Sequence, residues 1–316
     1  MSRAIVIVLA LFLDIILGEP PNRWHPVALM GRWLIWGQQL APRRYRFWFG
    51  AGWTLVGMML FAWPWRVIPM KIGSPKCILG LLPRLLLAIR LLGLAALLKP
   101  LFAYRNLRRA AAAVGQALAG QDIVEARRLV GWHLVSRDTT ELSPAEAAGA
   151  AIESLAENMT DSLAAPLWAY ALGGLPAAWV YRFVNTADAM WGYRTVEFEQ
   201  LGKFPARLDD ALNWLPARLS GWLFVVAAWL AGEDASGAAH TMLNQHQGTP
   251  SPNAGWTMSA MAGALHVTLS KRDTYDLAGG SDALDTPMIR RALRLADICV
   301  ALNIALICLF LYLLKR

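Results

Sequence analysis

Four stretches of this sequence, residues 47–63, 78–98, 163–184 and 296–314, approach the ~20 predominantly apolar residues that a helix needs to cross a bilayer. Shorter apolar runs at 4–17, 219–231 and 256–269 fit either short spans or buried helices. The rest of the chain cannot offset so much apolar surface. Hydrophobic residues make up 56% and charged residues only 16%, where a soluble domain carries about 25% charge. A disordered chain is excluded as well, because it needs low hydrophobicity to escape collapse. The 15 tryptophans, many beside apolar runs, suit amphipathic rings at the lipid–water boundary. The expectation is an all-α, polytopic integral membrane protein with four to seven membrane segments and helical cytoplasmic loops. No internal repeat or low-complexity linker divides it, so residues 1–316 read as a single integral membrane domain. Its polar loop regions, 99–160 and 185–218, are expected to carry the active site.

The 163–184 run contains Pro166, Gly173, Gly174 and Pro176, which suggests a broken or re-entrant segment. Such backbone is tolerated only where protein or water satisfies it. Loop 18–46 carries five Lys/Arg and loop 99–146 seven, whereas 232–255 has none. The first two are therefore cytoplasmic candidates and the third suggests the opposite face. The net charge of +8 is scattered through loops rather than massed in one tract, which argues against a nucleic-acid partner. Cys77, Cys299 and Cys308 form no C-x-x-C pair, so they read as small core residues rather than a disulfide or zinc framework. Ala4 to Leu17 does not read as a signal peptide, since Asp14 interrupts it and no A-x-A site follows.

The stretch from Val135 to Asp161 carries the strongest chemical signal. Ser143, Pro144 and Glu146 form a capping box with proline at the first helical position. At 100° per residue Glu146, Glu153, Glu157 and Asp161 fall within about 80° of one another. Ala148, Ile152, Leu155 and Met159 occupy the opposite face. No basic residue follows at i+4 to relieve the like charges, and carboxylates at a membrane edge are costly and tend to mark function. A phosphate bridged by Mg²⁺ would neutralise them, since magnesium takes one or two carboxylates plus substrate oxygens. The competing reading is the solvated face of an amphipathic helix. With Glu146 committed to its cap, Glu153, Glu157 and Asp161 are the candidates.

A second cluster, Arg182, Asn185, Asp188 and Arg194, can hold a metal and a phosphate together, or else caps a helix end near lipid headgroups. In a third, Arg207, Asp209 and Asp210 stand with Asn213 and Arg218. There, an Arg207–Asp210 helix pair worth ~0.2–0.5 kcal/mol is the structural alternative. Asp14, Glu19, His25 and Arg32 lie in a rigid turn with Pro20, Pro21 and Pro26. Asn253 suits the N-cap of the helix that follows it. His133, His240, His246 and His266 lack metal-ligand spacing. No P-loop, Rossmann fingerprint, nucleophile elbow or H-E-x-x-H appears. The residues alone describe a membrane enzyme handling a Mg²⁺-bound phosphate compound.

These clusters occur in a distinctive order. Leu13-Asp14, Gly18-Glu19-Pro20, His25-Pro26-Val27 and Gly31-Arg32 come first. Arg137-Asp138-Thr139, Glu153, Ala156-Glu157-Asn158, Asp161 and Ala165-Pro166-Leu167 follow. Gly173-Gly174, Asn185-Thr186, Asp188, Gly192-Tyr193-Arg194, Ala206-Arg207-Leu208-Asp209-Asp210 and Leu215-Pro216-Ala217-Arg218 come next. Ser251-Pro252-Asn253-Ala254 and Ala262-Gly263-Ala264-Leu265 close the series. In this order, over residues 13–265, the chain resembles the CobD/CbiB family, the adenosylcobinamide-phosphate synthases of cobalamin biosynthesis. The resemblance implies an enzyme of the bacterial cytoplasmic (inner) membrane with its active site facing the cytoplasm. It would be an ATP- and Mg²⁺-dependent ligase that amidates adenosylcobyric acid, a cobalt corrinoid, with (R)-1-aminopropan-2-ol or its phosphate. Membrane lipid and other late cobalamin enzymes are the further partners implied.

Carried onto this chain, the resemblance makes Glu153, Asp209 and Asp210 catalytic candidates, with Asp209 or Asp210 accepting the ammonium proton. Arg137, Asp138, Asn158, Asn185, Arg194 and Arg207 become the ATP-binding set, and Glu157, Asp161 and Asp188 the metal ligands. The chain departs from the family at three places. Ser136 and Ser162 stand where glycine is usual, and 244–248 is Asn-Gln-His-Gln-Gly where a basic tract is usual. A Mg²⁺-dependent prenyl- or phosphatidyl-type membrane transferase is the alternative enzyme class. A non-catalytic relative serving as sensor or assembly partner is the third reading.

Overall fold

The computed structural model describes residues 2–21, 23, 25–66, 81–272, 274–281 and 284–315. Cys77 and the start of the 78–98 run lie outside the described residues. The helices are α1 (Ser2–Leu17), α2 (Pro26–Leu40), α3 (Arg46–Ala62), α4 (Leu81–Leu98), α5 (Tyr104–Ala119) and α6 (Ile123–His133). Then come α7 (Pro144–Met159), α8 (Ala165–Trp191), α9 (Lys203–Ala231), α10 (Ala235–Gln245) and α11 (Ala254–Leu265). A short antiparallel hairpin, β1 (Thr268–Lys271) and β2 (Tyr275–Ala278), precedes α12 (Thr286–Leu313). The all-α expectation holds apart from that hairpin.

Among the described residues, three helices are long and apolar enough to cross a membrane: Pro144–Trp191, Lys203–Ala231 and Thr286–Leu313. A bent pair, Pro83–Leu101 with Tyr104–Ala119, brings the number to four if it forms one span. This is the lower end of the four to seven expected. Large apolar side chains stand exposed along several helices, among them Phe12, Ile15, Trp48, Met59, Trp229 and Leu230. So much exposed apolar surface suits lipid rather than water, and the chain is a membrane protein.

The chain folds as two compact units. Unit one comprises 1–103, 165–212 and 306–316, and unit two comprises 104–164 and 213–305. In unit one α8 packs against α1, α2, α3 and α4. It lies close against α3 at Gly57, where an added Cβ would lie 2.1 Å from Cζ of the buried Phe183. As the sequence suggested, α8 is broken: Gly174 adopts φ 71°, ψ −159°, a region essentially closed to other residues, and Pro176 follows it. Trp33 and Trp53 stack on each other with centroids 4.5 Å apart.

In unit two α7 packs against α5, α6, α11 and β1, and α10 against α11. Tyr104 and Arg108 of α5 bind the Asp297 carboxylate of α12, and Arg291 pairs with Glu233. The apolar run 256–269 is not a span. Residues 257–265 are buried in α11, His266 ends the helix in the left-handed region (φ 56°), and the chain then turns into β1. The run 219–231 is the second half of α9, which begins at Lys203. Charged residues at 207–210 and Pro216 resemble a loop in sequence, yet they lie within one helix. Much of the region 99–160 is likewise helical, in α5, α6 and α7. Cys299 and Cys308 are free, and Cys299 is buried.

Candidate active site

Helix α7 begins as its sequence dictates. The Ser143 hydroxyl accepts the Glu146 N–H at 3.2 Å and the Glu146 carboxylate accepts the Ser143 N–H at 2.8 Å, completing a capping box. Arg272 donates to the same carboxylate at 2.5 and 2.8 Å, so Glu146 is committed to structure. Ala148, Ile152, Leu155 and Met159 are buried as the apolar back of the helix.

The remaining acidic residues differ from a simple solvated stripe. Glu153 is only 5% exposed, while Glu157, one turn on, is open. Arg137 Nη2 lies 3.5 Å from Glu153 Oε2. The Tyr275 phenol stands near enough to feel the charges of Glu153 and Glu157. Burial, and then the charges of Glu153 and Glu157, push the Tyr275 phenol upward from its ordinary value, so it keeps its proton. Lys271 acts electrostatically on both carboxylates. Glu153 Oε1 is nonetheless buried without a hydrogen-bond partner among the described residues, an acceptor with capacity to spare. Beside this group lies a cavity of about 420 Å³, lined by Arg137, Asp138, Glu141, Glu146, Lys271 and Arg272.

Asp161 falls in a turn of π-helix, Thr160–Ala164. Such turns are rare and often accompany functional sites. The wider turn moves Asp161 off the 100° spacing that grouped it with Glu153 and Glu157. Asn158 donates to the Ser154 carbonyl at 3.0 Å and accepts from the Ser162 hydroxyl at 2.9 Å. Its amide therefore braces the π-turn, and Ser162, a departure from the family, has a structural role there. Asp138 is exposed and accepts the Thr140 N–H and hydroxyl at 3.0 and 2.9 Å. Those bonds hold its carboxyl below the usual range, and they shape the loop that carries Arg137.

Unit one gathers the other candidates. Arg182 donates to Asn185 at 3.2 Å, and Asn185 donates to Asp209, which is buried, at 3.4 Å. Arg194 acts electrostatically on half-buried Asp210. Asp188 is half-buried, and a Cβ on Gly192 would fall 2.2 Å from its Oδ1, so only glycine leaves its carboxylate room. Arg207 is exposed. The N-terminal motif forms a second charged group around a residue the sequence analysis did not single out. Lys99, 6% exposed, lies 3.3 Å from Asp14 and 2.7 Å from Glu19, and His25 Nε2 lies 2.8 Å from Glu19. Because His25 Nδ1 accepts the Val27 N–H, Nε2 carries the proton given to Glu19.

Among the described residues, no three His, Cys, Asp or Glu side chains converge as a metal cluster. Lys271, Arg272 and Tyr275 were also missed as site residues. The signal for the first two is the basic pair that directly follows Ser270; Tyr275 has none. Asn253 holds the N-cap position without a side-chain cap bond. Its Oδ1 accepts from Arg218, while the Ser251 hydroxyl takes the Asn253 and Ala254 N–H groups. In the 244–248 tract Gln245 exchanges hydrogen bonds with the Ala278 backbone, and the His246 ring lies tilted against that of Trp256.

Residues 7–305 match the family model described as CobD/Cbib protein. The chain is 40% identical over 303 residues to the probable cobalamin biosynthesis protein CobD of Methanothermobacter thermautotrophicus, covering 96% of each chain. It is 37% identical to the cobalamin biosynthesis protein CobD of Dehalococcoides mccartyi (88% of this chain, 87% of the relative). The identity to that of Klebsiella pneumoniae is 34% (84% and 82%). No solved structure matches the chain.

Proposed function

The chain belongs to the CobD/CbiB family of cobalamin biosynthesis proteins, and from that premise we propose that it is an ATP-dependent amide-forming ligase. In this reading it joins adenosylcobyric acid to (R)-1-aminopropan-2-ol or its phosphate, giving adenosylcobinamide or its phosphate. The observation that supports the reading is the Arg137–Glu153–Lys271 arrangement beside a cavity of about 420 Å³. It combines cations for phosphate oxygens with a buried carboxylate that has an unused acceptor oxygen.

The chemistry sets the requirements. A carboxylate and an amine form a salt at neutral pH, so the carboxylate must be activated. In the proposed course a carboxylate oxygen of the corrinoid attacks the γ-phosphorus of ATP and ADP leaves. The neutral amine nitrogen then attacks the acyl carbon, phosphate leaves and the amide remains. The donor set fits a divalent ion that brings most of its ligands with it, because magnesium commonly takes one or two protein carboxylates plus phosphate oxygens. When bound with ATP, Mg²⁺ would supply charge neutralisation at the phosphates; Glu157 and Asp161, at the end of α7, are the proposed holders.

The chain's own residues do the rest in this account. Arg137 and Lys271 grip phosphate oxygens, Arg137 through its planar fork. Tyr275, protonated beside Glu153 and Glu157, adds a neutral polar group to their surroundings. Within unit one, Arg194 and Arg207 are proposed to bind phosphate groups, and Asp209 or Asp210 to accept a proton. The test is a mass-spectrometric assay of detergent-purified protein with adenosylcobyric acid, Mg-ATP and either amine. ATP-dependent formation of the amide supports the reading, and its absence from folded protein with both amines rejects it.

A further inference from the structure

Arg218 lies within a helix long and apolar enough to cross a membrane, where an ionisable side chain is costly. Among the described residues no carboxylate pairs with it. Its guanidinium carbon sits 4.3 Å from the ring centroid of Trp214 and 4.9 Å from that of Trp256, and the His246 ring in turn lies tilted against Trp256 at 4.2 Å. Nη1 donates to the Trp214 carbonyl at 2.7 Å and to Asn253 Oδ1 at 3.1 Å. Asn253 is itself buried. One edge of the guanidinium is thus anchored, both aromatic neighbours lie against it, and Nε with Nη2 form a second edge that has no acceptor among the described residues.

We propose that this second edge of Arg218 binds a phosphate group, in a site built by Trp214, Trp256 and Asn253. A guanidinium edge offers two parallel N–H donors that match two oxygens of a phosphate. Stacking on indoles favours the cation without using those donors. The geometry resembles a clamp made in advance for an anion rather than a satisfied ion pair. A phosphate on a small soluble molecule and one on a lipid headgroup present the same oxygens. Trp214 is 55% exposed and Leu215 is exposed beside it, so either source can approach. The site shares no residue with the Arg137–Lys271 cavity, and the inference does not rest on the amide-forming reading.

The test compares full-length wild-type protein with Arg218→Gln by binding rather than turnover. One arm is equilibrium dialysis of radiolabelled orthophosphate against protein in neutral detergent. The other is native mass spectrometry of lipid retained after reconstitution with phosphatidylglycerol or phosphatidylcholine. Arg218→Gln should lower occupancy by one equivalent, with at least tenfold weaker binding of one probe. Loss in the dialysis arm identifies a soluble phosphate; loss confined to the lipid arm identifies a headgroup. Equal binding by the two proteins in both arms, or no binding by the wild type in either, overturns the proposal. If Arg218→Gln does not fold, Arg218→Lys and Trp214→Leu carry the test. The first keeps the charge but loses the fork, and the second removes one face of the clamp. Both should weaken binding severalfold, and unchanged binding in both overturns the proposal.

Discussion

Arg137 Nη2 stands 3.5 Å from Glu153 Oε2, pairing a half-buried guanidinium with a carboxylate that is almost wholly enclosed. The pair is asymmetric, and the asymmetry predicts the order of two mutations. Arg137→Ala leaves the buried carboxylate with compensation only from the more distant Lys271, and should cost about 1–3 kcal/mol. Glu153→Gln removes that charge and leaves a cation that water can reach, so it should cost less. Denaturant titrations in a constant detergent will show the order, and a larger loss for Glu153→Gln contradicts the assignment.

The capping box at the start of α7 gives a second expectation. Ser143→Ala removes the acceptor for the Glu146 N–H and should lower stability by about 1 kcal/mol. Ser143→Gly should cost only a few tenths. Thermal unfolding followed by circular dichroism separates the two.

At the α3–α8 contact, Gly57→Ala places a methyl group against the Phe183 ring. Overpacking of this kind costs about 1–3 kcal/mol. Phe183→Leu in the same chain should recover part of the loss, because the smaller side chain vacates the position. Additive losses in the double variant would show that the two residues do not share that space.

A pH dependence follows from Glu19. Burial alone would raise its carboxyl, but hydrogen bonds from His25 and Lys99, with their charges, outweigh it and hold the value below 4.5. The ionised form is therefore favoured more in the folded than in the unfolded chain. Its contribution to stability is complete above pH 4.5 and is lost as pH falls through the lower folded-state value. The stability gap between wild type and Glu19→Gln should accordingly narrow as the pH is lowered below 4.5. A gap that widens on acidification would give the shift the opposite sign.

The parts of the fold visible in the sequence were those fixed locally. Ser143, Pro144 and Glu146 announce a helix start because all three act within one turn. Gly174 and Pro176 announce a break because no neighbour can restore helical dihedrals there. The start of α9 was hidden because Arg207, Asp209, Asp210 and Pro216 carry loop-like chemistry; burial of Asp209 and its bond from Asn185 are long-range facts. Lys99 could not be linked to Asp14 from spacing, since the contact exists only once α1 and α4 pack. Lys271 and Tyr275 were missed because strands of four residues leave little alternation to detect. The π-turn at Thr160–Ala164 has no sequence signature comparable to a cap.

In the proposed function this CobD/CbiB-family membrane protein forms an amide at the expense of ATP, using the acidic end of α7 and its basic neighbours. The most direct measurement is single-time-point mass spectrometry of purified wild type and Glu157→Ala with adenosylcobyric acid and aminopropanol phosphate, each with and without Mg-ATP. The account predicts adenosylcobinamide phosphate only in the wild-type reaction that contains ATP, and none from folded Glu157→Ala. Product without ATP, or near-normal product from Glu157→Ala, would contradict it.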